Sequence, residues 1–130
     1  MHNDDGFMAC LGLNFSELSG EKVIATWTAG PQHHQIYGIV HGGVYASIVE
    51  TLGSYGAGAW FGDKGKVVGV SNSTDFFRAV TTCEMVSTAY PLHQGRSSQV
   101  WVVETHDSEG RMVARGQLRV QNLADAGIIN

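Results

Sequence analysis

The stretch from Tyr37 to Trp60 places the strongest constraint on what this chain can fold into. Across residues 23–62 the only formally charged side chain is that of Glu50. In a helix, its neighbours at three and four residues' distance are small: Ala46, Ser47, Gly53 and Ser54. We therefore predict a helix with one carboxylate on a face that has little bulk to cover it, which leaves room for a ligand.

A second face of this helix is apolar. Side chains recur along it at helical spacing, namely Val44, Ile48, Leu52 and Tyr55. This period predicts that the helix is buried along that face. A carboxylate in apolar surroundings pairs with a cation, takes a raised pKa or meets a substrate. Two interpretations of Glu50 stay open: a functional group, or a charge that faces solvent or an interface.

The composition predicts one compact domain. The 130 residues suit a single domain, which we place at residues 1–123 with a C-terminal tail at 124–130. Apolar residues make up 43% and charged residues 15%, a balance typical of a globular protein that buries much surface and also consistent with oligomerisation. The net charge of -4 and the scattered basic residues argue against nucleic acid or an anionic membrane as partner.

Cysteine usage and the N-terminus favour a cytoplasmic protein. Cys10 and Cys83 are isolated, with no second Cys or close His at metal-ligand spacing, so we expect two reduced thiols. The N-terminal residues are acidic where a signal peptide would be basic, and no apolar run approaches the roughly 18 residues needed to span a bilayer. We expect no membrane association.

The other segments follow strand and turn patterns. We predict a short helical turn over residues 5–12 that opens at Asp4 or Asp5 and ends at Gly12. Strands are predicted where β-branched and aromatic residues dominate, at Glu21–Ala29, Lys66–Thr74, Ala79–Tyr90, Ser98–His106 and Arg111–Gln121. Pro91 is expected to end the strand before it, and residues 107–110 (DSEG) to form a hairpin turn.

This order of elements indicates an α+β fold, in which an antiparallel sheet wraps one long helix. The last predicted strand supports a sheet that is packed on one side, because apolar and polar residues alternate along it. Its apolar face carries Met112, Ala114, Gly116, Leu118 and Val120.

The start of the helix has the features of an acyl-transfer site. The glycines of His41-Gly42-Gly43 permit close backbone approach, and the first amides of a helix lack intrahelical partners. Such amides can receive a carbonyl oxygen, while a carboxylate opposite could attack that carbonyl or activate a water. His41 alone is weak support, because a lone histidine is commonly a capping or structural residue.

Other chemistries find little support. His33, His34 and His41 could suggest a metal, but adjacent histidines do not easily point to one ion, and no HExxH motif or Cys partner completes a set. No GxSxG elbow, P-loop or GxGxxG after a strand is present. We therefore expect neither a metal site nor a serine-hydrolase or nucleotide-binding fold.

These residues resemble the signature of a known family. The segment 35–44 (QIYGIVHGGV), followed by Glu50 and Gly53-Ser54, looks like that of hotdog-fold acyl-CoA thioesterases. Within that family it is similar to the PaaI-like branch, which includes the 4-hydroxybenzoyl-CoA and 1,4-dihydroxy-2-naphthoyl-CoA thioesterases. The resemblance continues through Val67-Val68-Gly69, residues 76–79 (FFRA) and residues 91–101 (PLHQGRSSQVW).

The resemblance implies a hotdog fold, an acyl-CoA substrate, no cofactor, and dimers or dimers of dimers with active sites at the dimer interface. Carried over by position, Glu50 would be the nucleophile or general base on the thioester carbonyl. Gly42 would donate its backbone N–H to the thioester oxygen. Gln35 and His41 would position the thioester and the water, and Ser54 would hold the acyl group or water.

The resemblance also assigns the coenzyme A contacts. Arg78 and Arg96 would meet the nucleotide phosphates, with a solvated surface charge as the alternative for each. Asp75 departs from the family pattern, which tends to have Asn before the aromatic residue, and this bears on the coenzyme A contacts there. Two rival functions remain: a non-catalytic acyl-CoA-binding hotdog protein, and a hotdog dehydratase, whose Asp and His stand in a different motif.

Overall fold

The computed structural model describes residues 6–124. Within this range the chain forms two α-helices, six strands and two short 3₁₀ turns. The bounds are α1 Phe7–Leu11, β1 Asn14–Leu18, β2 Val23–Ala29, α2 Gly42–Phe61, β3 Gly65–Phe76, β4 Cys83–Gln94, β5 Ser98–His106 and β6 Met112–Ala124. The 3₁₀ turns occupy Pro31–His33 and Gly62–Lys64.

The strands form one antiparallel sheet in the order β1-β2-β4-β5-β6-β3. Helix α2 packs across this sheet and contacts all of its strands. The predicted α+β architecture, a long central helix wrapped by an antiparallel sheet, is therefore confirmed. The alternation predicted for the last strand is confirmed from Ala114 to Val120, where the arginines between the buried residues are exposed. It does not extend to Met112, which is only half-buried beside the buried Val113, where the register with β5 shifts.

Helix α2 buries two of the four predicted positions, Ile48 and Leu52, and leaves the other two more exposed. Tyr55 is 40% exposed and stacks on Phe15 of β1, with ring centroids 5.3 Å apart. Val44 is only half-buried. The full set of buried positions is Tyr45, Ile48, Val49, Leu52, Gly53, Gly56, Ala57 and Phe61. The apolar period was ambiguous because the helix is apolar nearly all round, so contact with the sheet, rather than pattern, decides which face is covered.

Two glycines let α2 approach the sheet closely. A Cβ atom at position 53 would lie 2.7 Å from Cδ2 of Leu118, and one at position 56 would lie 2.5 Å from two ring carbons of Trp101. Leu118 and Trp101 are fully buried. Glycine is therefore required at both positions, because the space that a side chain would take is filled by the large core residues of β5 and β6.

Several strand boundaries differ from the prediction. Strand β1 was not predicted, and all five of its residues are exposed, so no alternation of apolar and polar residues marked it. Pro91 does not end its strand. It pairs with Trp101, and the register shifts between Pro91 and His93. A proline lacks the amide N–H that a regular ladder needs, and such a bulge accommodates it without ending the strand.

The two ends of the described chain differ from the prediction in part. Asp4 and Asp5, where we placed the start of the first helix, lie outside the described residues, as do residues 125–130 of the predicted tail. Helix α1 follows Gly6 and ends at Leu11, and Gly12 caps its C-terminus with a φ of +67°. Strand β6 continues three residues beyond the predicted Gln121, and the side chain of Asn122 is buried.

The predicted hairpin between β5 and β6 is confirmed. Gly110 adopts a φ of +80°, and the carboxylate of Asp107 accepts hydrogen bonds from the amides of Glu109 and Arg111 and from Nε of Arg111. The backbone hydrogen bond from Arg111 is the main cause that lowers the pKa of Asp107. Among the described residues, no helix has the length and apolar character required to cross a bilayer.

The close contact at Gly56 generates a stability prediction. Gly56→Ala should lower the free energy of unfolding by about 1–3 kcal/mol, because the new methyl group overpacks against Trp101. Gly58→Ala is the matched control, since its Cβ would lie 3.8 Å from Cγ2 of Val67, an ordinary van der Waals contact. In urea denaturation we expect the control to be neutral or up to about 1 kcal/mol more stable. Equal effects of the two changes would contradict this account of the packing.

Candidate active site

The N-terminus of α2 is capped by the side chain of His41. Its Nδ1 accepts a hydrogen bond of 2.7 Å from the amide of Gly43, and its carbonyl oxygen accepts one of 2.9 Å from the amide of Val44. Since Nδ1 is an acceptor, the neutral imidazole carries its proton on Nε2. Within residues 6–124, the amide of Gly42 donates no hydrogen bond. That N–H is therefore available to a ligand, at the positive end of the helix dipole.

The amide of Gly42 lies beside a cleft of about 310 Å³, which we call the Gly42 cleft. Its walls include two more of the predicted site residues, Gln35 and Arg78. Oε1 of Gln35 accepts a hydrogen bond from the amide of Tyr37 in its own loop. The amide nitrogen of Gln35 is thereby turned away from that bond and can donate to a ligand, as the Gly42 amide can.

The remaining walls of the Gly42 cleft are largely apolar and aromatic, and they include Tyr45, Phe76 and Phe77. The hydroxyl of Tyr45 is buried and has no hydrogen-bond partner among the described residues. Burial, followed by the nearby Cys83 thiol, raises the pKa of Tyr45 to about 12, so this residue stays neutral at physiological pH.

The carboxylate of Glu50 lines a separate, larger cleft of about 630 Å³, which we call the Glu50 cleft. Glu50 is exposed. The other walls come from three elements: Phe7 of α1; Ala46, Ser47 and Thr51 of α2; and Asn72, Thr74 and Phe76 of β3. None of these described wall residues is basic, so the carboxylate faces the cleft without a cation beside it. The prediction that small neighbours leave Glu50 uncovered is confirmed.

The ring of Phe76 forms a wall of both clefts. A Cβ atom at position 42 would lie 2.6 Å from Cζ of Phe76, so the absence of a side chain at Gly42 is what admits this ring against the helix end. The ring also lies 6.1 Å from that of Tyr45, centroid to centroid. Phe76 thus separates the donor groups from the carboxylate within one chain.

The other predicted site residues lie elsewhere. His41 lines a third cleft, of about 370 Å³, together with Cys10 and Ser47. Ser54 lies one helical turn beyond Glu50, half-buried, and is not among the walls of the Glu50 cleft. Arg96 is exposed in the turn between β4 and β5, outside the Gly42 cleft that Arg78 lines.

The histidines before α2 are engaged with the backbone. Nδ1 of His33 accepts from the amide of Gly30, and its Nε2 lies 2.8 Å from the carbonyl oxygen of Cys10. Nε2 of His34 lies 2.6 Å from the carbonyl oxygen of Thr81. In the described part of the chain, no group of three or more His, Cys, Asp or Glu side chains is arranged to hold a metal ion.

Sequence reasoning missed Asn72 and Thr74. The amide nitrogen of Asn72 lies 3.3 Å from Oε1 of Glu50 and 2.9 Å from the carbonyl oxygen of Ala46, and the hydroxyl of Thr74 lies 2.7 Å from Oδ1 of Asn72. The available signal was the run of polar residues 71–75 inside a predicted strand. The face on which each lies could not be read, because β3 contains an irregularity at Val70.

A comparison with protein families gives the class of the protein. The model of the thioesterase superfamily matches residues 37–114, which is more than half of the chain and includes Glu50, His41 and Gly42. The chain therefore belongs to the thioesterase superfamily, its fold is the hotdog fold, and the prediction of a thioester hydrolase is confirmed at the level of the family.

Individual relatives agree with this class. The Mycobacterium tuberculosis protein Rv1847, whose name describes it as an esterase, is 46% identical over 116 residues, which is 87% of this chain and 83% of that protein. The proofreading thioesterase EntH of Cronobacter turicensis is 34% identical over 108 residues, covering 83% of this chain and 79% of EntH. The crystal structure of AziG from S. sahachiroi superposes with a TM-score of 0.91 at 45% identity, covering 95% of this chain and all of that one.

The cap formed by His41 generates a prediction about stability. His41→Ala should lower the free energy of unfolding by about 1 kcal/mol, because the amide of Gly43 loses its partner. His41→Asn should restore most of that loss, since asparagine is among the best N-cap residues. Urea denaturation of both variants checks the prediction. Equal destabilisation by Ala and Asn would show that the imidazole does not stabilise the protein by capping.

Proposed function

We propose that this protein is an acyl-CoA thioesterase that hydrolyses an acyl- or aroyl-CoA thioester to the free acid and coenzyme A. The observation that carries the proposal is that one helix presents both an uncommitted N–H, at Gly42, and an exposed carboxylate, at Glu50. The first group can take up the charge that develops on a thioester oxygen, and the second can attack the carbonyl or activate water. Membership in the thioesterase superfamily supports the same chemistry.

The two groups are too far apart to serve one substrate carbonyl from a single chain. Eight residues of helix separate Gly42 from Glu50, a rise of about 12 Å along the axis. A nucleophile and an oxyanion donor must both lie about 3 Å from the reacting groups. We therefore propose that Gly42 and Gln35 of one subunit face Glu50 of a second copy, so that each active site spans two subunits.

The edge of the sheet supports this assembly. Strand β3 is a 12-residue edge strand, with Val68 and Val70 exposed by 44% and 48%. A long edge strand with exposed apolar residues is a liability in a monomer and a template for pairing with another chain. A second copy that pairs along β3 would form a symmetric dimer, and both clefts contain residues of this strand or of the segment after it. Two such dimers could associate further into a tetramer.

The proposed reaction uses few groups. The backbone N–H of Gly42 and the side-chain amide of Gln35 would hold the thioester oxygen. His41 would cap the helix that presents Gly42. Glu50 would either add to the carbonyl carbon or remove a proton from an attacking water. If water attacks, the carbon–sulfur bond breaks, coenzyme A leaves as its thiolate and takes up the proton removed from the water, and the acyl group leaves as the carboxylic acid. If Glu50 attacks, coenzyme A leaves as its thiolate and the acyl group forms an anhydride with Glu50, which a water then hydrolyses to the free acid and the regenerated carboxylate. Ser54 would contact the acyl group or water one turn beyond Glu50.

The finer substrate assignments rest on the walls of the clefts. Tyr45, Phe76 and Phe77 make the Gly42 cleft aromatic, which suits the aroyl-CoA substrates of the PaaI-like branch. Arg78 lines the same cleft and is the better candidate for a coenzyme A phosphate, whereas Arg96 could reach one only from another direction. Because coenzyme A thioesters are made and used inside cells, we also propose a cytoplasmic location.

Removal of the carboxylate tests the proposed chemistry. Glu50→Gln should reduce kcat for thioester hydrolysis by a factor of about 100 or more, because amide oxygen is neither a nucleophile nor a base. Release of free thiol from a panel of acyl- and aroyl-CoA substrates is the measurement, with circular dichroism as the control for folding. Near-normal turnover by Glu50→Gln would refute the role of Glu50. Tight binding without thiol release by the parent protein would favour the non-catalytic alternative.

Mixing two inactive variants tests the shared site. Glu50→Gln and Gln35→Ala subunits are refolded together and assayed against each variant alone. If Glu50 and Gln35 meet across the dimer, each mixed dimer regains one intact site, so a random mixture should recover about one quarter of the parent activity. Recovery no greater than the sum of the two separate variants would show that each site is built within one chain.

A further inference from the structure

Strand β3 contains a bulge directly above the carboxylate of Glu50. Gly69 pairs with Val120 and Ser71 pairs with Arg119, so Val70 is an extra residue without a partner in β6. In a regular strand, residues three positions apart face opposite sides of the sheet. The extra residue reverses this rule, and Gly69 and Asn72 both lie on the side of the sheet that α2 covers.

The bulge places two different surfaces against the two oxygens of Glu50. Oε2 lies directly against Gly69, where any side chain would collide with it. Oε1 lies 3.3 Å from Nδ2 of Asn72. The carboxylate therefore rests in a fixed direction between the backbone of Gly69 and the amide of Asn72, and a one-residue change in register would remove both contacts.

The orientation of the Asn72 amide is determined by its other partners. The carbonyl oxygen of Ala46 can only accept a hydrogen bond, so the group 2.9 Å from it must be the NH₂ of Asn72. The hydroxyl of Thr74, 2.7 Å away, then donates to Oδ1. With Oδ1 occupied and NH₂ shared between Ala46 and Glu50, the amide can present only a donor to the carboxylate.

No other described side chain performs this role. The hydroxyls of Ser47 and Thr51, which also line the Glu50 cleft, donate to backbone carbonyls one turn earlier in α2, at 2.7 and 2.8 Å. Among the described walls from α1, α2 and β3, Glu50 is the only titratable group. Asn72 is thus the one side chain of these walls that donates to the carboxylate.

We propose that Asn72 is a positioning residue for Glu50, held in orientation by Thr74 and brought into place by the bulge at Val70. Its donated hydrogen bond engages Oε1 while Oε2 rests against the backbone of Gly69, so the carboxylate is held in one direction toward the cleft. The inference rests on the proposed thioesterase function, in which Glu50 carries the reaction. Asn72 itself need not touch the substrate.

Kinetics of Asn72 variants test the proposal on the intact protein. Asn72→Ala should lower kcat about 10- to 100-fold with little change in KM, because the carboxylate loses its direction but not its substrate. Thr74→Val should have a smaller effect of the same kind, and Thr74→Ser should restore the parent kcat. If Asn72 only ties β3 to α2, its loss would lower thermal stability and leave kcat per folded subunit unchanged, which would overturn the proposal.

The dependence of kcat on pH gives a second test, because it would not change if Asn72 served only to link β3 to α2. Asn72→Asp replaces the donor by a second carboxylate facing Glu50, so the acid limb of the kcat profile should move upward by about one pH unit or more. Gln117→Glu is the matched control, since it adds the same charge on an exposed position of β6 that pairs with Ser73. An acid limb that moves equally in both variants, or in neither, contradicts the proposal.

The activity of Glu50→Gln distinguishes a failure of the proposed thioesterase function from a failure of the positioning role of Asn72. If that variant is inactive and the Asn72 variants behave like the parent, the positioning role is wrong and the proposed function stands. If Glu50→Gln is active, or the parent releases no thiol from any thioester, the proposed function itself fails. A fall in kcat for Asn72→Ala together with the displaced acid limb for Asn72→Asp would establish the role of Asn72.

Discussion

The close approach of helix α2 to the sheet is the contact on which the rest of the structure depends. Gly53 and Gly56 admit Leu118 and Trp101 to the helix surface, and these two side chains are fully buried there. Because these large side chains fit only where the helix has glycine, they fix the rotation of the helix about its own axis. That rotation turns Tyr55 and Glu50 away from the core, so that one helix can serve as the centre of the core and also carry an exposed carboxylate.

The length of helix between Gly42 and Glu50 divides the candidate site. Gly42, whose amide is uncommitted, lines one cleft and Glu50 lines another, with the ring of Phe76 as a wall of both. A monomer divided in this way cannot bring the two groups to one substrate carbonyl. In a dimer with two-fold symmetry, Gly42 of each subunit can lie opposite Glu50 of the other. The exposed edge of β3 offers the surface along which such a pair could form.

Strand β3 shows why a local irregularity can matter more than an extended pattern. Simple alternation from Val67 onward places Asn72 on the face opposite to Gly69, and the extra residue at Val70 brings them together. The polar run 71–75 would then look like a solvated strand face. A bulge carries no dependable sequence signal when its extra residue is an ordinary valine, so Asn72 and Thr74 could be assigned to Glu50 only from the three-dimensional structure.

The sequence by itself determined the α+β class, the long central helix, the uncovered carboxylate of Glu50 and the free amide that follows His41. These features depend on local composition, helical spacing and chain-end geometry, which are properties of neighbouring residues. Tertiary structure decided which face of α2 is buried, that Pro91 lies inside a strand and that Asn72 meets Glu50. Each of these depends on contacts between residues distant in the chain, where packing and strand register outweigh local preference.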